Sequence, residues 1–181
     1  STIDANNNLT LHAKSTTIVS SEDKLLIESI SGASLSSTTH TGSELKAGNN
    51  VTVNAEERLA ITGSRIDTGN DLNLNAESVT ITASANRHLD INDSNNSNTS
   101  TNHTGSQLSA GNNVTVSAAD TLAIAGSGIS AENDLSLNAE SIDIVASKDT
   151  SSRRSRGSHT VVSYGGEDGA SSETTTTTTT R

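Results

Sequence analysis

The sequence lacks the residues that most proteins use to fill a core. Its 181 residues include no cysteine, proline, methionine, tryptophan or phenylalanine, and Tyr164 is the only aromatic residue. Without cysteine there is no disulfide framework, thiolate metal site or thiol nucleophile. Only 30% of the residues are hydrophobic, while there are 31 serines, 26 threonines and 19 asparagines. A globule with one large core is excluded, because burial would not offset the entropy lost on ordering the chain.

Basic residues and long apolar runs are also scarce. The chain has 11 Lys and Arg against 21 Asp and Glu, which gives a net charge of −10. It has no basic stripe interleaved with aromatic residues, so nucleic acid is not expected as a partner. No run approaches the roughly 18 apolar residues that a membrane-spanning helix needs. The start at Ser1 shows neither an initiator methionine nor a signal peptide, so we expect a piece of a longer protein.

What the sequence does contain is an internal repeat. Residues 40–84 align without a gap to residues 103–147, and 30 of the 45 aligned pairs are identical. The same offset, 63 positions, relates Ile66 to Ile3, so the period runs through most of the chain. Inside each block a shorter period, near 21 residues, relates Leu45 to Ile66. A register of this kind indicates an ordered repeat architecture.

Each 21-residue unit predicts three short strands. In the unit that begins at Gly42, apolar and polar residues alternate at 45–47, 51–55 and 59–61, which is the strand period. Glycine, asparagine and charged residues fill the corners between them. Strands this short are stable only when units stack in parallel. The sequence therefore predicts an all-β fold, a right-handed parallel β-helix (solenoid) with about 21 residues per turn, three short strands per turn and roughly eight to nine turns.

The repeat also predicts the domain organisation. The β-helix array occupies residues 1–147, in blocks near 1–20, 21–83 and 84–146. The third unit of each block is poor in apolar residues, and we expect it to complete a turn with its polar part bulging outward. The Ser/Thr-rich segment 148–181 predicts either a β-hairpin outside the helix, with its turn at 165–169, or a disordered tail.

The residue patterns favour structural roles over chemistry. Asn-Asn and Asn-Asp pairs recur at one corner and predict a ladder of stacked side-chain amides. These pairs are at 49–50, 70–71, 112–113 and 133–134. His40 and His103 occupy equivalent turn positions, and a stacking distance of roughly 14 Å is too long for a shared metal ion. Glu56, Glu57, Arg58 and Glu77 come from corners and follow the repeat, whereas an active site is singular. We therefore predict no catalytic residues, no cofactor, no metal site and no enzyme activity.

The motif from Gly42-Ser43 through Gly48-Asn49-Asn50 to Ala55 resembles the haemagglutinin repeats of filamentous haemagglutinin and of contact-dependent growth inhibition exoproteins. It recurs in whole or in part near Ile3, Gly63, Gly105 and Gly126. The resemblance implies a large two-partner secretion exoprotein of a Gram-negative bacterium. Such a protein is secreted through an outer-membrane transporter and displayed at the cell surface as a β-helical filament.

The resemblance also implies a function and its alternatives. The chain would be a structural and interaction segment that presents adhesive or toxin-delivery regions. Within the family, the alternative is a direct part in binding a host or target-cell receptor or glycan, or in toxin translocation. From another class, the alternative is a carbohydrate-active β-helix enzyme, which would need clustered, non-repeating carboxylates in a groove. An open strand edge at a terminal layer also predicts end-to-end self-association of the fragment.

Overall fold

The structure is a computed structural model that describes residues 1–29, 33–93, 96–164 and 170–180. These residues form strands and contain no helix, hence no helix that could cross a membrane. The strands are β1 (Thr2–Ala5), β2 (Leu9–Val19), β3 (Ser21–Glu28), β4 (Ser34–Thr41), β5 (Glu44–Ala47), β6 (Val51–Thr62), β7 (Arg65–Thr68), β8 (Leu72–Thr82), β9 (Ser84–Asp93), β10 (Asn96–Thr104), β11 (Gln107–Ala110), β12 (Val114–Ala125), β13 (Gly128–Ala131), β14 (Leu135–Asn138), β15 (Ser141–Val145), β16 (Thr150–Tyr164) and β17 (Ala170–Thr180).

The chain divides into two units. The first contains Ser1–Asp23, Thr39–Asn86 and Asn102–Asp149, and the second contains Lys24–Thr38, Arg87–Thr101 and Thr150–Arg181. The first unit is built from two parallel sheets, with the orders β1-β5-β7-β11-β13 and β2-β6-β8-β12-β14, and β15 also pairs with β12. The all-β prediction is confirmed, and the parallel sheets are compatible with a β-helix.

The paired strands of the first unit form five layers among the described residues. Layer 1 contains β1 and β2, layer 2 contains β5 and β6, layer 3 contains β7 and β8, layer 4 contains β11 and β12, and layer 5 contains β13, β14 and β15. Leu45 pairs with Ile66, its equivalent in the next unit of the repeat, as the sequence predicts. Ile66 then pairs with Leu108, its equivalent two units further along the chain. Each stack of side chains therefore continues through the array, although the connection between layers varies in length.

The core is a set of apolar columns that run through these layers. Inward positions on successive strands hold Val, Leu, Ile or Ala, and the paired residues of neighbouring layers are both buried. Val53, Leu74 and Val116 form one such column and are fully buried. Residues between them, such as Thr52 and Thr115, alternate outward and are partly exposed. A core of this kind holds one apolar side chain per layer in each column, which explains how the fold dispenses with large aromatic residues.

Two details of the predicted strands need correction. The second and third strands of a unit were expected to be separate, but in layer 2 they run as one strand, β6, with a shift of register between Asn54 and Arg58. The shift lies at the corner where the repeat loses one residue, so pairing continues around the bend. Three separate strands occur in layer 5 alone among the described layers. The five layers are also fewer than the eight to nine turns expected.

The difference in layer number has its origin in the third unit of each block. We expected these units to complete a turn, but their residues lie largely in the second compact unit, which is antiparallel. There β4 pairs with β9 from Ser34 opposite Ile91 to Thr38 opposite Arg87. Too few apolar residues are present in these stretches to supply a layer of the core. Leu25, Leu26 and Ile27 of β3 are about half exposed.

The terminal segment also belongs to this second unit. β10 pairs with β16 in antiparallel fashion, and β16 pairs with β17 from Arg154 opposite Thr180 to Tyr164 opposite Ala170. The predicted turn at 165–169 lies outside the described residues.

The apolar columns predict the effect of a core substitution. Val116→Asp places an unpaired charge in a fully buried column, and we expect the free energy of unfolding to fall by about 3–5 kcal/mol or more. The cooperative melt followed by circular dichroism should then be lost. The matched control is Thr115→Asp, which changes the outward neighbour on the same strand and should leave the melt nearly unchanged. Equal melts for the two variants would show that the inward assignment is wrong.

Candidate functional site

The most regular polar feature is a ladder at the corner between the two parallel sheets. The Asn50 Oδ1 atom accepts a hydrogen bond from Asn70 Nδ2 at 3.1 Å and a second from the backbone N–H of Asp71 at 3.0 Å. One layer further, Asp71 Oδ1 accepts from Asn112 Nδ2 at 2.8 Å and from the Asn113 N–H at 3.2 Å. Each side-chain oxygen therefore holds two donors of the following layer.

The ladder extends from the first layer to the last. The Asn50 N–H donates to Asn8 Oδ1, the Asn133 amide donates to Asn112 Oδ1, and the Asp134 N–H donates to Asn113 Oδ1. The predicted amide ladder is confirmed. What the sequence did not reveal is that the second residue of the first three pairs acts as an acceptor, which explains why aspartate can replace asparagine there.

Glycine precedes this ladder because the layers approach closely at the corner. A Cβ atom on Gly69 would collide with the carbonyl oxygen of Gly48, and one on Gly111 would collide with that of Gly69. In layer 5 the position is Glu132, and its N–H bond to Ala110 is 3.2 Å, longer than the 3.0 Å bond of Gly111 to Thr68. A side chain is therefore accommodated there by a small separation of the layers.

A second ladder uses the serine of each Gly-Ser pair. Ser64 and Ser106 are buried, and the Ser106 hydroxyl donates to the carbonyl oxygen of Thr82 at 2.8 Å. The Ser64 N–H donates in turn to Ser106 Oγ at 3.3 Å. Preceding Gly63 has a φ of 53°, a left-handed conformation that glycine adopts without strain. The hydroxyl groups of both serines donate to backbone carbonyl oxygens, which is typical of a structural role and not of a nucleophile.

The two repeated histidines have partners that the sequence analysis missed. His40 directs its N–H and Nδ1 to Asn86 Oδ1 at 2.7 and 3.2 Å, and His103 does the same with Asp149 Oδ1 at 2.8 and 3.1 Å. Both histidines lie in strands, β4 and β10, so the turn prediction is wrong. The signal was present in the repeat, since the offset that relates His40 to His103 also relates Asn86 to Asp149.

In the second pair, the histidine lowers the pKa of the carboxyl group that it contacts. The backbone N–H of His103, followed by its ring, holds the pKa of the exposed Asp149 carboxyl below its ordinary value. Asn86 offers the same oxygen without a charge. The same contact therefore occurs in both blocks. Its acceptor is an ionisable group only in the second block, where it is a carboxylate.

Charged corner residues meet in a shallow cleft. Glu57, Arg58, Glu77 and Thr121 line it, and both glutamates are exposed. Glu57 also forms an ion pair with Lys14 at 2.9 Å. The cleft brings together charged side chains from successive layers of one corner.

The outer face of the first parallel sheet has alternating charges. Glu44 Oε1 lies 3.0 Å from Lys46 Nζ and 3.9 Å from Arg65 Nε, and Arg65 lies 3.4 Å from Asp67. These pairs are solvent-exposed, so each contributes about 0–1 kcal/mol. Two of the pairs lie within a single strand and one joins neighbouring layers, and together they do not form a singular site.

Within the second unit, a polar cleft is lined by asparagines, a serine, one carboxylate and two guanidinium groups. The lining residues are Asp90, Asn92, Asn96, Ser97, Asn98, Arg153 and Arg154. The sequence analysis did not single out this cleft, because its residues come from distant strands that antiparallel pairing brings together. Across the described part of the chain, no group of three or more His, Cys, Asp or Glu residues could hold a metal ion.

The sequence matches the hemagglutinin repeat family over residues 27–102 and 90–180. No curated protein and no solved structure matches it.

The corner ladder predicts different effects for two changes at one position. Asp71→Ala removes an oxygen that accepts two hydrogen bonds, and we expect a loss of about 1–3 kcal/mol in the free energy of unfolding. Asp71→Asn keeps Oδ1 and should change stability by less than about 0.5 kcal/mol. Urea denaturation followed by circular dichroism measures both. Equal losses would mean that the charge of Asp71, and not its acceptor oxygen, stabilises the corner.

The Asp149 contact predicts a dependence on acid. Because the pKa is lowered in the folded protein, the contact stabilises the fold above the ordinary carboxyl pKa and is lost as the pH falls through the lowered value. NMR titration of Asp149 should give a pKa below that of an unperturbed aspartate. His103→Ala should retain part of this lowering, since the backbone N–H is its largest single cause and remains in the variant. An ordinary pKa in the unmodified protein would contradict the contact.

Proposed function

Because this chain belongs to the hemagglutinin repeat family, we propose that it is a structural segment of a large secreted bacterial surface exoprotein. Its described layers would form part of a β-helical filament that presents adhesive or toxin-delivery regions located elsewhere. The family is structural and adhesive, not enzymatic, and its members are secreted surface exoproteins of Gram-negative bacteria. This agrees with the resemblance drawn from the Gly-Ser and Gly-Asn-Asn motifs.

One observation carries the proposal: every layer of the first unit repeats the contacts of its neighbours. The columns of apolar side chains, the corner ladder and the buried serines recur from layer to layer. Adding a layer lengthens the array without creating new chemistry, which is what a spacer requires. A catalytic or binding site would instead break the repeat at one place.

The proposed architecture is a right-handed parallel β-helix. Paired residues 20 or 21 positions apart, such as Leu59 with Val79 and Val51 with Leu72, support turns of that length within each block. Right-handedness follows the general preference of parallel crossover connections. In this division residues 1–147 are the repeat array, the third unit of each block belongs largely to the second compact unit, and residues 148–181 are a separate terminal segment.

A second candidate function is direct recognition of a cell-surface receptor or glycan. The observation in its favour is the cleft of the second unit, where Asn98, Arg153 and Arg154 offer amide and guanidinium donors beside Asp90. Such groups hydrogen-bond to hydroxyl and carboxylate oxygens of sugars or peptides. Toxin translocation would require further regions of the exoprotein.

The other partners that we propose for this protein are those that the family implies. Export would use an outer-membrane two-partner secretion transporter, and the mature segment would lie at the cell surface. No cofactor is required. End-to-end association between copies is also part of the proposal, since terminal layers leave strand edges open.

The spacer function predicts that a whole block can be duplicated. A copy of residues 42–104 inserted between Thr104 and Gly105 recreates the natural Thr-Gly-Ser junction and adds two layers. We expect one cooperative melt at a higher temperature than that of the original chain, because each added interface stabilises its neighbours. The control carries Leu74→Asp in the inserted copy only and should lose the gain. A duplicated chain that melts in two steps or fails to fold would contradict the modular interpretation.

A cell-binding assay distinguishes direct recognition, the second candidate function, from a purely structural role. A purely structural segment, labelled and incubated with target cells, should show no saturable binding. Saturable binding that Arg153→Ala reduces, and that Arg65→Ala on the first unit leaves unchanged, would assign recognition to the cleft instead.

A further inference from the structure

The polar cleft of the second unit lies where the sequence repeat fails. At the 63-residue offset that relates 40–84 to 103–147, residues 87–101 and 150–164 form 15 pairs, and Ser100 with Ser163 is the one identical pair. Asp90 and Arg153, which both line the cleft, occupy equivalent positions and have opposite charges. The repeat therefore does not dictate the lining of this cleft, and its combination of residues is singular in the chain.

Antiparallel pairing assembles one polar face of the cleft. Asn98 of β10 lies opposite Arg153 of β16, and Asn96 lies opposite Ser155. The Ser155 hydroxyl donates to Asn96 Oδ1 at 2.8 Å, which holds the Asn96 amide against the neighbouring strand. Alternate residues of a strand point to the same face of a sheet, and residues directly opposite each other are neighbours there. The amide of Asn98 and the guanidinium of Arg153 are therefore adjacent on one face.

The charged groups of the cleft do not neutralise one another. Asp90, Arg153 and Arg154 line the same cleft, yet none of them forms an ion pair within the described part of the chain. The side chain of Asn98 has no hydrogen-bond partner among those residues either. A ligand would therefore find two guanidinium groups, a carboxylate and an amide that need not first break a contact within the protein.

The lining limits the chemistry of that ligand. Every lining residue is polar or charged, so a lipid tail or an apolar peptide side chain would have no apolar contact. The cleft has a volume of about 490 Å³, which lies within the range of small-molecule sites. Asparagine amides both donate and accept hydrogen bonds, as sugar hydroxyl groups do. The lining thus favours a small ligand that is polar throughout.

The balance of charge favours a ligand with one carboxylate. Two guanidinium groups and the Asp90 carboxylate leave an excess of one positive charge in the cleft, and a guanidinium binds a carboxylate in bidentate fashion. The chain as a whole carries a net charge of −10 and repels densely charged polyanions. Asp90 would repel a second negative charge but accept hydrogen bonds from hydroxyl groups.

We propose that this cleft binds a sugar acid, namely a monosaccharide unit with one carboxylate, such as a uronic acid or a sialic acid residue of a cell-surface glycan. Arg153 binds the carboxylate, Asn98 binds hydroxyl or amide groups of the sugar, and Asp90 accepts hydrogen bonds from its hydroxyls. The proposal names the ligand class of the second candidate function, direct recognition, on which it rests. It does not depend on the structural function.

The test is an NMR titration of the full ¹⁵N-labelled chain with glucuronic acid and with N-acetylneuraminic acid. At least one acid should shift the signals of Asn98 and its neighbours in β10 and β16 saturably, with a dissociation constant on the order of 1 mM. The matched ligand control is the methyl ester of the same acid, which keeps the hydroxyl groups and loses the charge. We expect the ester to bind at least about tenfold more weakly, because the charge-assisted hydrogen bonds to Arg153 are lost.

Two variants of one residue test the role of the guanidinium. Arg153→Ala should weaken binding of the acid at least about tenfold and remove its advantage over the ester. Arg153→Lys keeps the charge but not the bidentate geometry, and its affinity should lie between those of the other two chains. The control is Arg87→Ala, which removes an exposed arginine of β9. Arg87 is three positions from Asp90, hence on the opposite face of the strand, and its loss should leave binding unchanged.

Four results would overturn the proposal. They are no saturable shift with either acid, equal affinity for acid and ester, equal loss of binding in Arg87→Ala and Arg153→Ala, and binding of acetate, inorganic phosphate or sulfate at the same signals as tightly as the acids. Circular dichroism melts of the variants should match that of the unmodified chain, since the changed residues are exposed.

Failure of this proposal can be told apart from failure of direct recognition. If the sugar acids do not bind but saturable binding to cells still depends on Arg153, the ligand class is wrong and recognition by the cleft stands. If both are absent, recognition by the cleft is refuted. The structural function is judged separately, by the duplicated block.

Discussion

The structure depends on one constraint: each layer must present its backbone and side chains in the same register as the next. Parallel pairing places Leu45 against Ile66 and Ile66 against Leu108, so a residue meets its own equivalent at every step. A slip by one position would turn the apolar residues outward along a whole strand. The repeat in the sequence is thus a direct consequence of the pairing, and changes in length are confined to corners or to segments that belong largely to the second compact unit.

This constraint explains the composition. A narrow stack needs small and branched apolar residues inside and leaves no space for a tryptophan or phenylalanine at a position repeated in every layer. Polar residues gain a role from stacking, because Asn50 and Asp71 each hold two donors of the following layer. The abundance of asparagine and serine is therefore part of the stabilising interactions and does not indicate disorder.

The sequence predicts this part of the fold well because period and chemistry agree there. The short period identified the partners of Leu45 and Val51, and the Asn pairs identified the ladder. In the antiparallel second unit, the pairing of β16 with β17 agrees with the terminal hairpin that was one of two alternatives. The pairing of β4 with β9 and of β10 with β16 was not predicted, since these strands contain little apolar alternation and pair through distant segments. The same holds for the contact of His103 with Asp149, which joins residues 46 positions apart and is visible in the sequence only as a second correspondence between the blocks.

The most direct test of the layered register is disulfide formation between introduced cysteines, since the chain has none of its own. Asp67 pairs with Ser109, and Ser109 pairs with Ser130 on the next strand. Neighbouring parallel strands are about 4.8 Å apart, within disulfide reach, while two strand spacings of about 9.6 Å exceed it. The account predicts that Asp67→Cys with Ser109→Cys oxidises to an intramolecular bridge and that Asp67→Cys with Ser130→Cys does not. A bridge in the second pair, or none in the first, would contradict it.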